Sequence, residues 1–222
     1  MQEQYFEKQR EEIDMKKTVC LMGKGELAVR IGEYFLSSLE YELQIIIPVI
    51  PEPTWTESFV AWAHLMKVPV LESGDIGELP KDFRYDLGFS CYYDKILTTV
   101  NLESFQLALN LHNAPLPKYR GVNPINWALK NSENTHGVTI HQITSGIDDG
   151  PIYGQVEFPV DPEHDEVIDV YHKCLLHGEA LFKGLIPLLD SIEPIAQDSS
   201  QATYYSKKES KYLGERSSFK RN

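Results

Sequence analysis

An α/β protein with a doubly wound, mostly parallel sheet is the fold class that the sequence predicts. Short, nearly continuous apolar runs such as 43–49 are typical of strands buried on both faces, and they alternate with stretches whose apolar residues recur at helical spacing. Strands and helices in alternation build a parallel sheet with helices on its faces. There is no internal repeat, and 222 residues are enough for one sizeable core.

The individual elements follow from local patterns. The glycine turn 23–25 opens an amphipathic stretch, and Asn123 is a candidate N-cap with Pro124 in the first turn of its helix. One helical face is expected to carry Trp55, Phe59, Trp62, Ala63 and Met66, and another Ile168, Tyr171, Leu175, Leu181, Leu185, Leu188 and Leu189. The predicted strands are 16–22, 43–49, 68–71, 86–91, 107–112 and 137–143, and the predicted helices are 26–39, 55–67, 102–105, 123–131 and 165–190.

We expect one domain, residues 15–200, between a polar N-terminal extension, residues 1–14, and a C-terminal tail, residues 201–222. The extension has no apolar core, so we do not expect a secretory signal there, and no apolar run approaches the length that spans a bilayer. The three cysteines have no metal-ligand spacing and are expected to be reduced thiols. These features predict a cytoplasmic protein without a membrane partner.

The formal net charge is −12. A chain this acidic is poorly suited to a polyanionic partner that is held by neutralising its phosphates. A nucleic-acid partner is therefore not expected.

The segment that follows the apolar run 107–109 carries the most chemical information. Asn110 and His112 are two residues apart, so their side chains point to the same side of an extended chain. Prolines at positions 115 and 117 stop regular structure, and Arg120-Gly121 closes the loop. A strand that ends in two polar side chains and a rigid loop predicts a site with fixed polar groups.

A second segment, 137–151, reads as a β-branched strand that runs into an acidic turn. The turn holds Asp148 and Asp149 between two glycines, a composition that turns also favour for structural reasons. For His141, in the strand, a structural and a functional role both remain open. Surface positions without a metal site are predicted for four further histidines, His136, His164, His172 and His177.

Together these segments resemble the formyltransferases that use N10-formyltetrahydrofolate. The pattern of that family is Asn-x-His, Pro-x-x-Arg-Gly, Gly-Val-Thr-x-His and Gly-x-Asp-x-Gly, and every position is filled between residues 107 and 155. The resemblance implies a Rossmann-like formyltransferase fold. It also implies transfer of a formyl group from N10-formyltetrahydrofolate, the cosubstrate, to a primary amine, without a metal.

The resemblance also implies roles for single residues. Asn110 and His112 would donate hydrogen bonds to the oxyanion, and Asp148 would orient His112 or accept the amine proton. Family members often carry another polar residue where Asp149 stands, so which carboxylate faces the site stays open. Contacts to the folate are expected from Tyr92, Tyr93, Asp94, Ile96, Leu97, Gly146, Ile147 and Asp149. Contacts to the acceptor are expected from Gly23, Lys24, Gly25, Pro115, Tyr119, Arg120, Gly121 and Asn123.

The acceptor is narrowed by the stretch 110–123 and by Tyr92-Tyr93, which are most similar to the sugar N-formyltransferases. We therefore expect the primary amine of a nucleotide-linked amino sugar. Another small amine and methionyl-tRNA are the alternatives. The chain ends without the basic second domain of the tRNA enzymes, although residues 202–207 resemble the segment that joins the two domains there. A homodimer is left open.

A different class of function is suggested by Gly23-Lys24-Gly25, which follows a strand and opens a helix, as in dinucleotide-binding proteins. The second strand ends in Pro48-Val49-Ile50-Pro51, where an acidic residue for a ribose is expected. A tight strand-to-helix turn is therefore favoured over a nucleotide-binding protein without transferase activity. An inactive relative is the other alternative, and the joint presence of Asn110, His112 and Asp148 argues against it.

Overall fold

The computed structural model describes residues 16–214 and confirms the predicted fold class. A six-stranded sheet has the strand order β2-β1-β3-β4-β6-β7 and is mostly parallel. Its strands are β1 (Lys17–Gly23), β2 (Tyr41–Pro48), β3 (Tyr85–Cys91), β4 (Phe105–His112), β6 (Thr135–Gln142) and β7 (Ile152–Pro159). A second, two-stranded sheet pairs β5 (Arg120–Gly121) in parallel with β8 (Tyr204–Tyr205).

The α-helices of the described residues are α1 (Gly25–Ser37), α2 (Phe59–Met66), α3 (Thr99–Leu102), α4 (Pro124–Lys130) and α5 (Val167–Leu185). Short 3-10 helices lie at Ile76–Glu78, Ile186–Ser191, Ser199–Gln201 and Lys207–Tyr212. None of these helices is long and apolar enough to cross a membrane. The predicted extension 1–14 and the last part of the predicted tail, from 215 on, lie outside the described residues.

Two compact units make up the chain, and they join in sequence within β4, between Asn110 and Leu111. In the first unit, β1 is fully buried from Val19 to Met22 and pairs in parallel with β2 and β3. Helix α1 packs closely on α2 because Gly32 has no side chain: a Cβ there would clash with the ring of Trp62. The parallel sheet of this unit is therefore covered by helices, as the apolar runs predict.

In the second unit, β6 and β7 form an antiparallel pair in which Val138 faces Val156. Its core joins residues of α4, the β6–β7 pair and α5, namely Ile125, Leu129, Val138, Phe158, Val160, Val170 and Cys174. The sequence did not predict β7. The antiparallel pairing places the turn with Asp148 and Asp149 at the end of β6.

Several predicted boundaries are wrong, each for a local reason. Helix α2 begins at Phe59 because Ser58 caps it, which leaves Trp55 exposed. The predicted strand 68–71 is only one parallel bridge, between Val70 and Ile46. The predicted helix 102–105 is displaced to α3, where Thr98 supplies the cap. Helix α5 ends at Leu185, and the 3-10 helix that replaces its last turn carries a proline at its start.

Asn123 does not cap α4 with its side chain, contrary to the prediction. The backbone of Asn123 has a φ of 56°. The side-chain nitrogen of Asn123, Nδ2, donates to Ser210 Oγ at 2.9 Å. Pro124 does occupy the first turn. Asn adopts the left-handed conformation more readily than most residues, so it is favoured at position 123 for its backbone conformation.

Candidate active site

The end of β4 carries the Asn-x-His pair. Asn110 is half-buried, and His112 is 8% exposed. Both lie on one strand two residues apart, so they lean to the same side of it. His112 Nε2 lies 2.9 Å from the carbonyl oxygen of Tyr119. Because a carbonyl oxygen only accepts, this nitrogen carries a proton and donates.

The loop after β4 is held by polar side chains of the β6–β7 pair. Thr139 Oγ1 donates to the carbonyl oxygen of Ala114 at 2.6 Å and accepts from the amide of Leu116 at 3.2 Å. The Gln155 side chain donates to the carbonyl oxygen of Leu116 and to Thr139 Oγ1, at 2.7 and 2.8 Å. The path of the proline loop is thus set by these four hydrogen bonds, two of them buried, in addition to its prolines.

His136 belongs to the same set of anchors, and the prediction that it lies at the surface is wrong. It is fully buried, and its Nε2 donates to the carbonyl oxygen of Asn113 at 2.8 Å. Its Nδ1 is buried without a hydrogen-bond partner among the described residues. Burial, which disfavours the imidazolium, lowers the pKa of His136 to about 4, so the ring is neutral near pH 7.

The acidic turn presents Asp148, and not Asp149, to the interior. Asp148 has a φ of 50°, and its side chain is 14% exposed. Its Oδ2 accepts the amide of Gly121 at 2.8 Å and lies 3.7 Å from His112 Nδ1. Its Oδ1 lies 3.4 Å from His141 Nε2. One carboxylate therefore joins the acidic turn, the proline loop and two imidazoles.

The two nitrogens of each imidazole have different partners, and the arrangement is the same in both rings. His141 Nδ1 donates to the carbonyl oxygen of Gln142 at 2.9 Å, just as His112 Nε2 donates to Tyr119. In both rings the second nitrogen faces the Asp148 carboxylate. A second proton on either ring would therefore be stabilised by this carboxylate, whereas a lone pair would face its negative charge.

The same contacts keep Asp148 ionised. Burial raises its pKa, but His112, His141 and the Gly121 amide favour the charged form and together hold the pKa well below the ordinary range of an aspartate. The site is thus a buried anion that lies beside one ring nitrogen of each of two histidines. This arrangement is suited to moving a proton.

His141 is a site residue that the sequence left undecided. It is 2% exposed at the end of β6 and reaches Asp148 across the turn between β6 and β7. The sequence signal that was available is its spacing of two residues from Thr139, which places both side chains on the same side of the strand. The sequence could not show that this side faces the acidic turn.

The other residues predicted in the acidic turn point elsewhere. Asp149 is exposed and accepts a short hydrogen bond from Thr144 Oγ1. The amide of Gly146 donates to the same hydroxyl at 3.0 Å, and Ile147 is 38% exposed. Their contact with a folate stays a prediction.

In the first unit, the residues predicted to contact folate follow β3. Tyr92 has a φ of 63° and is half-buried. Tyr93 uses its hydroxyl within the protein, donating to the carbonyl oxygen of Gly74 at 2.8 Å. Asp94 and Ile96 are exposed, whereas Leu97 is buried. Tyr93 and Leu97 are thus engaged within the protein, and the folate contacts predicted for Tyr92, Asp94 and Ile96 stay predictions.

The glycine turn of the first unit is closed by a threonine. Gly25 has a φ of 72°, and a Cβ there would lie 2.8 Å from Thr56 Oγ1. The same hydroxyl accepts the amide of Glu26 at 3.3 Å, and the amide of Lys24 donates to the carbonyl oxygen of Cys91 at 3.3 Å. These contacts favour a tight strand-to-helix turn. The acceptor contacts predicted for Gly23, Lys24 and Gly25 stay predictions.

The residues predicted to contact the acceptor in the proline loop are engaged within the second unit. Pro115 and Gly121 are half-buried. Tyr119 is buried, donates from its hydroxyl to Glu133 Oε1 at 2.6 Å and stacks on the ring of Tyr205. Arg120 binds Gln197 through its guanidinium group. Together with Asn123, which donates to Ser210, these residues build the loop, and their contacts with an acceptor stay predictions.

Residues 16–214 contain no cluster of three or more histidines, cysteines, aspartates or glutamates that could hold a metal ion. The three cysteines are buried and free, and burial raises the pKa of each thiol.

The sequence is similar to that of known formyltransferases. A methionyl-tRNA formyltransferase from Deinococcus radiodurans is 35% identical over 133 residues, which are 60% of this chain and 42% of that protein. The chain thus spans less than half the length of the curated relatives it matches.

Solved structures are similar over most of the chain. An N-formyltransferase from Helicobacter canadensis, in complex with folinic acid and dTDP-3-aminofucose, is 29% identical with a TM-score of 0.73, over 87% of this chain and 72% of that one. The formyltransferase PseJ from Anoxybacillus kamchatkensis, in complex with UDP-4,6-dideoxy-4-formamido-L-AltNAc and tetrahydrofolate, is 29% identical with a TM-score of 0.60, over 88% and 89%. Residues 67–184, more than half of the sequence, match the formyl transferase family, and the chain belongs to that family.

Proposed function

We propose that this protein is an N-formyltransferase that moves a formyl group from N10-formyltetrahydrofolate to the primary amine of a nucleotide-linked amino sugar. The observation that carries the proposal is the buried His112–Asp148 pair, with Asn110 two residues before His112 on β4. Membership of the formyl transferase family supports the chemistry.

The reaction needs a donor of hydrogen bonds and a place for one proton. The amine nitrogen attacks the formyl carbon, and negative charge grows on the formyl oxygen. The bond from that carbon to N10 of the folate then breaks, N10 takes up a proton and the former amine loses one. Asn110 donates from its side-chain amide to the formyl oxygen, and Asp148 receives the amine proton directly or through water. No residue of the enzyme is needed as a nucleophile.

His112 has a more constrained role than the sequence implies. Both ring nitrogens face protein oxygens, Nε2 the Tyr119 carbonyl and Nδ1 the Asp148 carboxylate. Donation to the formyl oxygen requires the ring to exchange the Tyr119 contact for the substrate. Proton transfer between His112 Nδ1 and Asp148 requires only a small approach, because the atoms are 3.7 Å apart.

Two observations support a nucleotide-linked amino sugar as the acceptor: the similar solved structures and the net charge of the chain. Sugar N-formyltransferases stand among the similar structures, and two of these hold a dTDP-linked or a UDP-linked sugar together with a folate. A small acceptor also suits a chain with a net charge of −12, which would repel a long polyanion. A cytoplasmic location and a homodimer stay predictions.

Methionyl-tRNA is the second candidate, because the enzyme from Deinococcus radiodurans that acts on it is 35% identical over the matched region. The acidic charge of the chain favours the sugar over the tRNA. Another small amine is the remaining alternative.

A formyl-transfer assay tests the proposal. Purified protein and N10-formyltetrahydrofolate are incubated with nucleotide-linked amino sugars, glycinamide ribonucleotide or charged initiator tRNA, and release of tetrahydrofolate is followed. Turnover with an amino sugar is the expected result. Turnover with the tRNA alone would show that the tRNA is the acceptor. If the protein does not bind folate at all, the proposed formyltransferase activity is refuted.

A further inference from the structure

The turn that carries Asp148 is held by a side chain from far along the sequence. Gln197 is half-buried, whereas its neighbours on both sides, 193–196 and 198–201, are exposed. Its Nε2 donates to the carbonyl oxygens of Asp148 and Gly150, at 2.9 and 2.7 Å. Its Oε1 accepts from Nε and Nη2 of Arg120, at 3.1 and 2.7 Å. One amide thereby connects the acidic turn to the proline loop.

The chemistry of these partners determines the orientation of the amide. Backbone carbonyls only accept hydrogen bonds and a guanidinium only donates them, so the site needs two N–H groups on one side and an oxygen on the other. Glutamate has no donor for the carbonyls, and methionine has neither function. The side-chain amide of glutamine supplies both the N–H donors for the carbonyls and the oxygen acceptor for the guanidinium.

We propose that Gln197 is a positioning residue, which holds the Asp148 turn against Arg120-Gly121 so that the Asp148 carboxylate stays on the Gly121 amide and between His112 and His141. That Gln197 holds the Asp148 turn in place is inferred from the hydrogen bonds alone. The consequence for turnover rests on the proposed function.

The pairing of β5 with β8 offers an internal control. The amides of Arg120 and Val122 donate to the carbonyl oxygens of Thr203 and Tyr205, both at 2.9 Å, and report on the C-terminal segment. The Gly121 amide between them donates to Asp148 instead. Hydrogen exchange at three successive amides therefore separates the position of Asp148 from the attachment of residues 203–205.

The test compares Gln197→Glu and Gln197→Met with Gln201→Met in the full chain. Gln201 lies in the same segment, but its side chain donates only to the exposed Asp198, at 3.0 Å. In both Gln197 variants we expect exchange at Gly121 to rise at least about tenfold, while Arg120 and Val122 stay within about threefold. Gln197→Glu is the sharper variant, because it keeps an acceptor for Arg120 and removes only the donors to the acidic turn.

Turnover is measured on the same variants and in the Asp148→Asn background. We expect Gln197→Glu to lower kcat/KM by about tenfold or more in the native protein and by less than about threefold beside Asp148→Asn, because coupled residues are not additive. Faster exchange at all three amides would overturn the proposal, since Gln197 would then only attach the C-terminal segment. Unchanged exchange at Gly121, or an equal loss of turnover in both backgrounds, would also overturn it. If the native protein transfers no formyl group, the proposed function fails, while exchange at Gly121 still decides the role of Gln197.

Discussion

Replacing Asp148 by Asn removes one negative charge and little else from the candidate site. An asparagine tolerates the left-handed backbone at this position, where φ is 50°, and its oxygen can still accept the Gly121 amide. What disappears is the attraction between the carboxylate and a protonated imidazole. At 3.4 Å to His141 and 3.7 Å to His112, with an effective dielectric constant of about 20, this attraction is about 4.5–5 kcal/mol for each ring.

The loss of one such interaction from the transition state corresponds to roughly 10³–10⁴-fold in rate, because each 1.36 kcal/mol is about tenfold. This value lies within the roughly 10²–10⁴-fold that general acid–base groups supply. We therefore expect kcat/KM for formyl transfer to fall about 10³-fold in Asp148→Asn, with the fold retained. Steady-state release of tetrahydrofolate measures the change, and circular dichroism checks the fold.

Asp149→Asn is the matched control, one residue away in the same turn. Asp149 is exposed, and an asparagine can still accept the hydrogen bond from Thr144. We expect its kcat/KM to stay within about threefold of the native value. A larger loss in Asp149→Asn than in Asp148→Asn would refute the reasoning, because the exposed carboxylate would then be the one that reacts.

The same substitution also alters the pH dependence of stability. The contacts of Asp148 hold its pKa below the ordinary value, so the native state binds this proton less readily than the unfolded chain. The carboxylate therefore contributes stability at pH values above about 4, and this contribution is lost as the pH falls further. Urea unfolding between pH 7 and 3 should show a smaller decrease for Asp148→Asn than for the native protein. A parallel decrease in the two proteins would contradict the assigned contacts.

Three further results are expected. Gly121→Ala should lower the free energy of unfolding by at least about 2 kcal/mol, because the φ of Gly121 is 92° and a Cβ there would clash with the Tyr205 carbonyl. Urea unfolding measures this free energy, and an unchanged midpoint would contradict the loop geometry. The native protein should lose roughly 2 kcal/mol between pH 7 and 5, because the unfolded chain protonates His136 below about 6.5 and the native state only near 4. His136→Gln should abolish that loss, and the exposed His172→Gln should keep it. Asn110→Ala should raise the barrier by about 2.7–4 kcal/mol in single-turnover assays without unfolding the protein, and a near-native rate would exclude Asn110 as the oxyanion donor.

Much of the fold could be predicted because buried parallel strands carry a local signal. The runs at 19–22 and 87–89 have no polar side chain and are buried, and each lies in a strand. The missed strand β7 has no such signal, because it lies at the end of the strand order and only one of its eight residues, Phe158, is buried. Helix ends were displaced wherever a cap residue or a proline decided the boundary, as at Ser58.

The sequence by itself determined the fold class, the family and the Asn110-x-His112 pair, because periodicity and short motifs are local properties of the chain. Only the tertiary structure decided that Asp148, and not Asp149, faces His112 and that His141 and Gln197 belong to the same site. The physical reason is distance along the chain: Gln197 and Asp148 are 49 residues apart, and their hydrogen bond exists only when folding brings these two segments together. Burial of His136 was hidden for the same reason, since its partner is a backbone carbonyl 23 residues away and a carbonyl has no sequence signature.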